Sequence, residues 1–125
     1  MNTRIDLADK IRAEVPATWT VIPYGVELEN PLMPHVVVRQ VSVARNAGAP
    51  RLYRDTGFTV ALVEPGLAPD KVETALDDDV EILLDVLERI DIPGLIWTGA
   101  DRVTFEGRFH GYEIHALITD ERVGQ

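Results

Sequence analysis

The segment from residue 70 to residue 91 constrains the fold most, because its pattern is compatible with only one type of secondary structure. Its apolar residues recur at spacings of three and four, which places them on one face of an α-helix. They are Val72, Leu76, Val80, Leu83, Leu87 and Ile90. Pro69 precedes the pattern and Pro93 follows it, as expected near the first turn of a helix and beyond its last. The sequence therefore predicts one long amphipathic helix whose apolar face packs on the rest of the protein.

This predicted helix also carries most of the excess charge of the chain. Residues 70–91 hold nine acidic and two basic residues, a net charge of −7 out of −9 for the whole chain. Like charges four residues apart destabilise an isolated helix by about 0.2–0.5 kcal/mol per pair, so packing of the apolar face has to offset them. The exposed acidic positions are Asp77, Asp78, Glu81, Asp85 and Glu88. Three interpretations remain open for them: a solvated face, an assembly surface and the wall of a channel.

The composition excludes several functional classes. The 125 residues suffice for one domain with a modest core, and we expect a single domain spanning residues 1–125. Because the chain has no cysteine, it forms no disulfide and no thiolate metal site. Its pI of about 4.7 argues against sequence-independent binding of nucleic acid, which needs clustered cations. No apolar run approaches the ~20 residues that span a bilayer, and the first residues lack a signal region, so we expect no membrane association.

No pattern of residues predicts a catalytic, cofactor or metal site. His35, His110 and His115 lack the spacing of metal ligands, and the aspartates at 77–79 lack the pattern of a calcium-binding loop. Paired carboxylates act as acid and base only where one is desolvated, which an exposed stripe does not provide. We therefore expect no enzyme activity and no cofactor. A small α+β enzyme or ligand-binding domain that uses the last two histidines and Glu113 remains an alternative.

Strands account for most of the remaining chain. Thr3 is the predicted N-cap of a first helix that ends before Pro16. Alternating or Val-rich segments predict strands at 19–22, 35–45 and 51–64, and again at 95–98, 102–106 and 111–119. The element order α-β-β-β-α-β-β favours the α+β class, a mostly antiparallel sheet with two packed helices. Both faces of the strand at 51–64 are apolar near its end, which predicts a central position, and the polar tail at 120–125 is expected to fray.

A basic loop separates the second and third predicted strands. These strands are close in sequence and predict a long hairpin with a flexible loop at about 45–54. Arg45, Arg51 and Arg54 make its tip basic. One interpretation is a solvated loop, and the other is an arm that reaches a partner such as the acidic helix of a second copy. Contacts of the second kind are head-to-tail, and they close into a ring when the rotation between copies permits.

Three stretches of the chain together are similar to a known family. The first helix precedes a Pro-Ala-x-Trp step at 16–19, the acidic helix leads into Leu-Ile-Trp at 95–97, and the closing hairpin contains Ala-Asp-Arg-Val at 100–103 and His-Gly-Tyr-Glu-Ile at 110–114. With the element order and the length, this pattern resembles the tail terminator (tail completion) proteins of long-tailed bacteriophages with non-contractile tails. The resemblance covers nearly the whole chain and lies in its overall pattern.

This resemblance implies a structural role with defined partners. Such proteins form a hexameric ring that caps the tail tube, stops its polymerisation and provides the surface on which the head docks. It implies contacts with other copies, the major tail tube protein and a head-completion or neck protein, in the virion at the tail–neck junction after assembly in the bacterial host cytoplasm. Genomic DNA passes through the hole without specific binding.

The resemblance leaves two roles open for the acidic helix and one alternative function. Like charge keeps DNA from adhering to a channel, so Asp77, Asp78, Glu81 and Asp85 are assigned to the channel wall. The other role is an intersubunit surface that faces the three arginines of the hairpin. The alternative function is that of a head–tail connector or another neck protein.

Overall fold

The predicted α+β architecture is confirmed by the structure, a computed structural model that describes residues 2–24, 33–46, 53–66 and 69–121. The elements follow the order α-β-β-β-α-β-β. They are α1 (Thr3–Glu14), β1 (Thr20–Ile22), β2 (His35–Arg45), β3 (Tyr53–Val63), α2 (Pro69–Arg89), β4 (Leu95–Phe105) and β5 (Phe109–Glu121). None of the helices in this described part of the chain combines the length and apolarity needed to span a bilayer.

The five strands form one sheet in the order β1-β2-β3-β5-β4. Only the short β1–β2 pair is parallel, and the other three pairs are antiparallel. β3 lies in the centre, as its apolar faces predict, and its residues from Thr56 to Val63 are all buried. The strands predicted at 95–98 and 102–106 are wrong in one respect, because they are one continuous strand. A bulge between Trp97 and Gly99 absorbs the extra residue without breaking the strand.

Both helices pack on the same side of this sheet, which we call the helix face. Its core combines side chains of α1 and α2 with every second residue of the strands. The central members are Leu7, Ile11, Val38, Val60, Leu83 and Ile114, all fully buried. The apolar positions predicted for α2 are buried from Val72 to Leu87, and Ile90 is half-buried. The long amphipathic helix is therefore confirmed, together with the direction of its apolar face.

The start of α1 differs from the prediction by one residue. Asn2, and not Thr3, is the N-cap, and its side-chain oxygen accepts a hydrogen bond of 3.1 Å from the backbone N–H of Ile5. Asparagine and threonine both act as N-caps. The sequence favours Thr3 because Asp6 lies three residues after it, where a capping box has an acidic residue.

The hairpin and the tail are more regular than expected. Arg45 and Arg54 lie in β2 and β3 and face each other in register, so the strands extend into the segment predicted as a flexible loop. β5 continues to Glu121, where it pairs with Tyr53 of β3, and Asp120 pairs with Arg54. Residues 120 and 121 are thus paired in the sheet, residues 122–125 lie outside the described residues, and fraying of the tail stays a prediction.

Asp55 is the physical reason for this order. One of its carboxylate oxygens accepts a hydrogen bond of 2.9 Å from the side-chain amide of Asn46 and one of 2.8 Å from the hydroxyl of Thr119. A single acceptor thus connects the end of β2, the start of β3 and the end of β5. These two hydrogen bonds connect the ends of the three strands through side chains as well as through the backbone.

Candidate functional site

The acidic surface of α2, which we define as Asp77, Asp78, Glu81, Asp85 and Glu88, is solvent-exposed at all five positions. Glu88 is also bound within the chain, because its carboxylate accepts a hydrogen bond of 3.0 Å from the indole N–H of Trp97. The side chains of the other four are exposed, so solvent or an external partner can contact them. Their assignment to a channel wall or to a contact between copies remains a prediction.

A second contact joins the other end of α2 to β4. The guanidinium of Arg102 donates two hydrogen bonds, of 2.8 and 2.9 Å, to the carboxylate of Glu73. This hydrogen-bonded pair lowers the pKa of Glu73 and raises the pKa of Arg102, because each charge favours the ionised form of the other. With the bond between Glu88 and Trp97, it fixes the acidic surface beside β4, the outermost strand of the sheet.

A contact between a buried carboxyl group, Glu64, and the half-buried Asp79 of α2 was not predicted from the sequence. Glu64 follows β3 and is 1% exposed, and one of its side-chain oxygens has no hydrogen-bond partner among the described residues. Burial, together with a hydrogen bond to Asp79 and the negative charge of that group, raises the pKa of Glu64 to about 8. The signal was present in the alternation of β3, because Phe58, Val60 and Leu62 point to the helix face and Glu64 continues the same series.

The basic residues lie on β2 and β3, whereas α2 packs over β4 and β5. Arg45 and Arg54 are exposed on adjacent strands, and Arg51 lies outside the described residues. Arg54 also faces Asp120 across β3 and β5. The basic character of this region therefore rests mainly on β2, whose 11 residues include Arg39 and Arg45 and no acid.

Most of β2 has no strand on its outer side within the described residues. β1 pairs only with His35, Val36 and Val37, and β3 occupies the inner side. Two apolar side chains on the uncovered part are unusually exposed, Val41 at 53% and Val43 at 56%. A strand edge of this kind presents unpaired N–H and C=O groups that can pair with another chain.

The histidines do not form a common site. His115 contacts Asp101 at 3.1 Å on the side of the sheet opposite the helices, whereas His35 contacts the carbonyl of Met33 at 2.8 Å. The part of the chain that the structure describes contains no group of three or more side chains suited to hold a metal ion. One surface depression, of about 360 Å³, is lined mainly by polar side chains, including Arg4 and Arg39. These features do not assemble a catalytic arrangement in the described residues.

Comparison with models of known protein families gives no match, and comparison with curated proteins gives none.

Proposed function

We propose that this chain is a structural phage protein that forms a ring on the tail tube, stops its polymerisation and provides the surface on which the head docks. The proposal is supported by the resemblance over nearly the whole chain to tail terminator proteins, and by the α+β element order that this resemblance implies. The observation that carries it is the separation of charge across the sheet. The acidic surface lies beside β4, and a basic open edge lies on β2.

Charge separation of this kind favours contacts between unlike surfaces of neighbouring copies. A heterologous contact repeats from copy to copy and closes into a ring when the rotation is suitable. In a homohexamer, Asp77, Asp78, Glu81 and Asp85 then either line the hole through which DNA passes or face the arginines of the next copy. An acidic lining would prevent the phosphate backbone from adhering. The ring has no catalytic role and needs no cofactor.

The test is deletion of the gene from the phage genome that encodes it, followed by negative-stain microscopy of the lysate. A tail terminator deletion is expected to give headless tails of abnormal length, and expression of the intact chain in trans is expected to restore normal virions. Tails of normal length that do not join heads would contradict the proposal and favour the connector alternative. Normal virions in the deletion lysate would contradict both.

The charge argument has its own test in solution. Arg45→Glu is expected to weaken association of the purified protein, and wild-type association is expected to weaken as salt rises, because exposed charges are screened over about 10 Å at 0.1 M salt. Arg108→Glu, an equal change of charge in the turn between β4 and β5, is the matched control. Sedimentation velocity measures the association of the wild-type protein and of both variants. Equal association of the two variants would contradict the electrostatic argument.

A further inference from the structure

We propose that neighbouring copies of this chain join edge to edge, the outer edge of β2 in one copy pairing with the outer edge of β4 in the next. The inference rests on the ring of the proposed function and specifies its interface. It makes the sheets of the copies continuous, with all helices on one side. The contact uses backbone hydrogen bonds for affinity and side chains for register, as in other cases where a strand is added to an open edge.

Both edges are open over the same height of the sheet. β1 covers β2 only up to Val37, and β4 pairs with β5 alone among the described strands. The register relates the two edges directly. One row of paired residues runs from Val43 through β3 and β5 to Leu95, and another runs from Val38 to Ala100.

The two edges also match in length between these rows. β2 takes five residue steps from Val38 to Val43, and β4 takes five from Leu95 to Ala100, whereas β3 takes only four, from Thr56 to Val60. The difference is one bulge in each outer strand, and the two bulges lie on either side of the row of residues that contains Phe58. Bulges usually protect an edge because they put it out of step with a regular partner. Here both edges contain one extra residue over the same interval, so the residues of the two edges can pair one to one.

Side chains at this height are complementary on the helix face. Val43 points to that face, since it pairs with Thr56, and it is 56% exposed. At the level of Leu95, a surface depression of about 280 Å³ lies at the other edge. It is lined by Leu87, Glu88, Ile90, Leu95, Ile96 and Trp97. The valine of one copy fits this apolar depression of the next.

Charge supports the same pairing. Arg45 lies two residues beyond Val43 and therefore on the same face, so in this arrangement it reaches the end of α2, where Glu88 borders the depression. A pair of unlike charges at this position favours the head-to-tail contact.

Symmetry then predicts the register. Rotation about an axis along the strands preserves the height of each residue and the direction of each strand. β2 and β4 run in opposite directions within the sheet, so β4 of the next copy is antiparallel to β2. Residues at equal height meet, which places Val43 opposite Leu95 on the helix face and Ser42 opposite Ile96 on the other face.

The test uses disulfide formation, which the absence of native cysteine makes clean. The double variant Ser42→Cys with Ile96→Cys places both thiols on one face, at a Cα separation of about 4.5–5.5 Å if the edges pair as proposed. Mild oxidation is expected to give a ladder of linked oligomers on non-reducing gels. Val43→Cys with Ile96→Cys is the matched control, because its cysteines lie on opposite faces and are expected to link much less.

A second measurement does not depend on oxidation. Val43→Asp is expected to weaken association about tenfold or more. It removes the valine that the proposed contact would bury, and it places a carboxylate near Glu88 of the next copy. Ile5→Asp, at an exposed apolar position on α1, is the control, and circular dichroism checks that both variants fold. Equal linking by the two cysteine pairs, absence of any linked species, or unchanged association of Val43→Asp would each overturn the edge contact.

These results separate the interface from the function. Rings observed by microscopy without face-specific linking would overturn the edge contact and leave the tail terminator proposal intact. Face-specific linking together with normal tails in the deletion lysate would support the edge contact and overturn the function.

Discussion

The free energy of unfolding of this protein is predicted to fall as pH rises, and Glu64→Gln is predicted to remove most of that fall. Glu64 lies under α2 beside Asp79, almost completely buried, and one of its oxygens has no partner among the described residues. An ionised carboxylate at this position would be both desolvated and repelled by Asp79. Folding therefore favours the protonated acid, whose O–H donates to the carboxylate of Asp79. Glutamine has nearly the same shape, is neutral at every pH and retains an N–H that can donate in the same direction.

The size of the effect follows from the two pKa values. In the unfolded chain Glu64 releases its proton near its ordinary value of 4.5, but the folded protein holds it up to about 8. Between these values the folded state binds more protons than the unfolded one, so the free energy of unfolding falls with rising pH, by about 1.4 kcal/mol per pH unit. The stabilisation from this group is complete below pH 4.5 and lost as pH approaches 8. At pH 7 the accumulated loss is about 3 kcal/mol.

Urea denaturation followed by tryptophan fluorescence measures this loss. We expect the wild-type chain to lose stability from pH 5 to pH 7 by about 2–3 kcal/mol more than Glu64→Gln does. Glu81→Gln, at an exposed position on α2, controls for the removal of one negative charge. If the difference between wild type and Glu64→Gln is the same at both pH values, the argument from a buried, protonated carboxyl group is wrong.

Three further substitutions test the packing of the fold. Leu83→Ala is predicted to cost about 2–5 kcal/mol, because Leu83 is fully buried between α2 and the sheet, and thermal denaturation measures it. Gly111→Ala is predicted to destabilise by about 1–3 kcal/mol, since a Cβ atom there would collide with the carbonyl of Leu62 and the ring of Phe105; an unchanged Tm would contradict this close approach. Asn2→Ala removes the N-cap of α1 and is predicted to cost about 1 kcal/mol, whereas Asn2→Ser should retain most of the stability.

The sequence predicts an element well where the spacing of its apolar residues and the length of the segment indicate the same type of secondary structure. The spacing in α2 spans enough turns that no strand pattern fits it, and the position of β3 follows from apolar residues on both of its faces. The predictions that were wrong concern the N-cap of α1 and the division of β4 into two strands. The choice between Asn2 and Thr3 as N-cap depends on one hydrogen bond, and the continuity of β4 depends on the bulge between Trp97 and Gly99.

The candidate surfaces also differ in whether the sequence alone predicts them. Exposure of the acidic surface follows from the helical pattern, because the apolar face determines which positions point away from the core. The open edge of β2 could not be predicted, since it depends on where β1 stops pairing and on the location of two bulges. The Glu64–Asp79 contact depends on the height at which α2 crosses the end of β3, which neither segment specifies alone.

If copies join through the proposed edge contact, the pairing of β3 with β5 determines when a chain has both of the edges involved. Tyr53 and Glu121 are partners in the ladder, although α2 and β4 are synthesised between them. Closing so long a loop costs more entropy than forming the local β2–β3 hairpin, so we expect β5 to insert after that hairpin has formed. Among the described strands, β4 pairs with β5 alone. We therefore expect a nascent chain to form its hairpin before it has the β4 edge, so an unfinished chain would lack one of the two edges that the proposed contact needs.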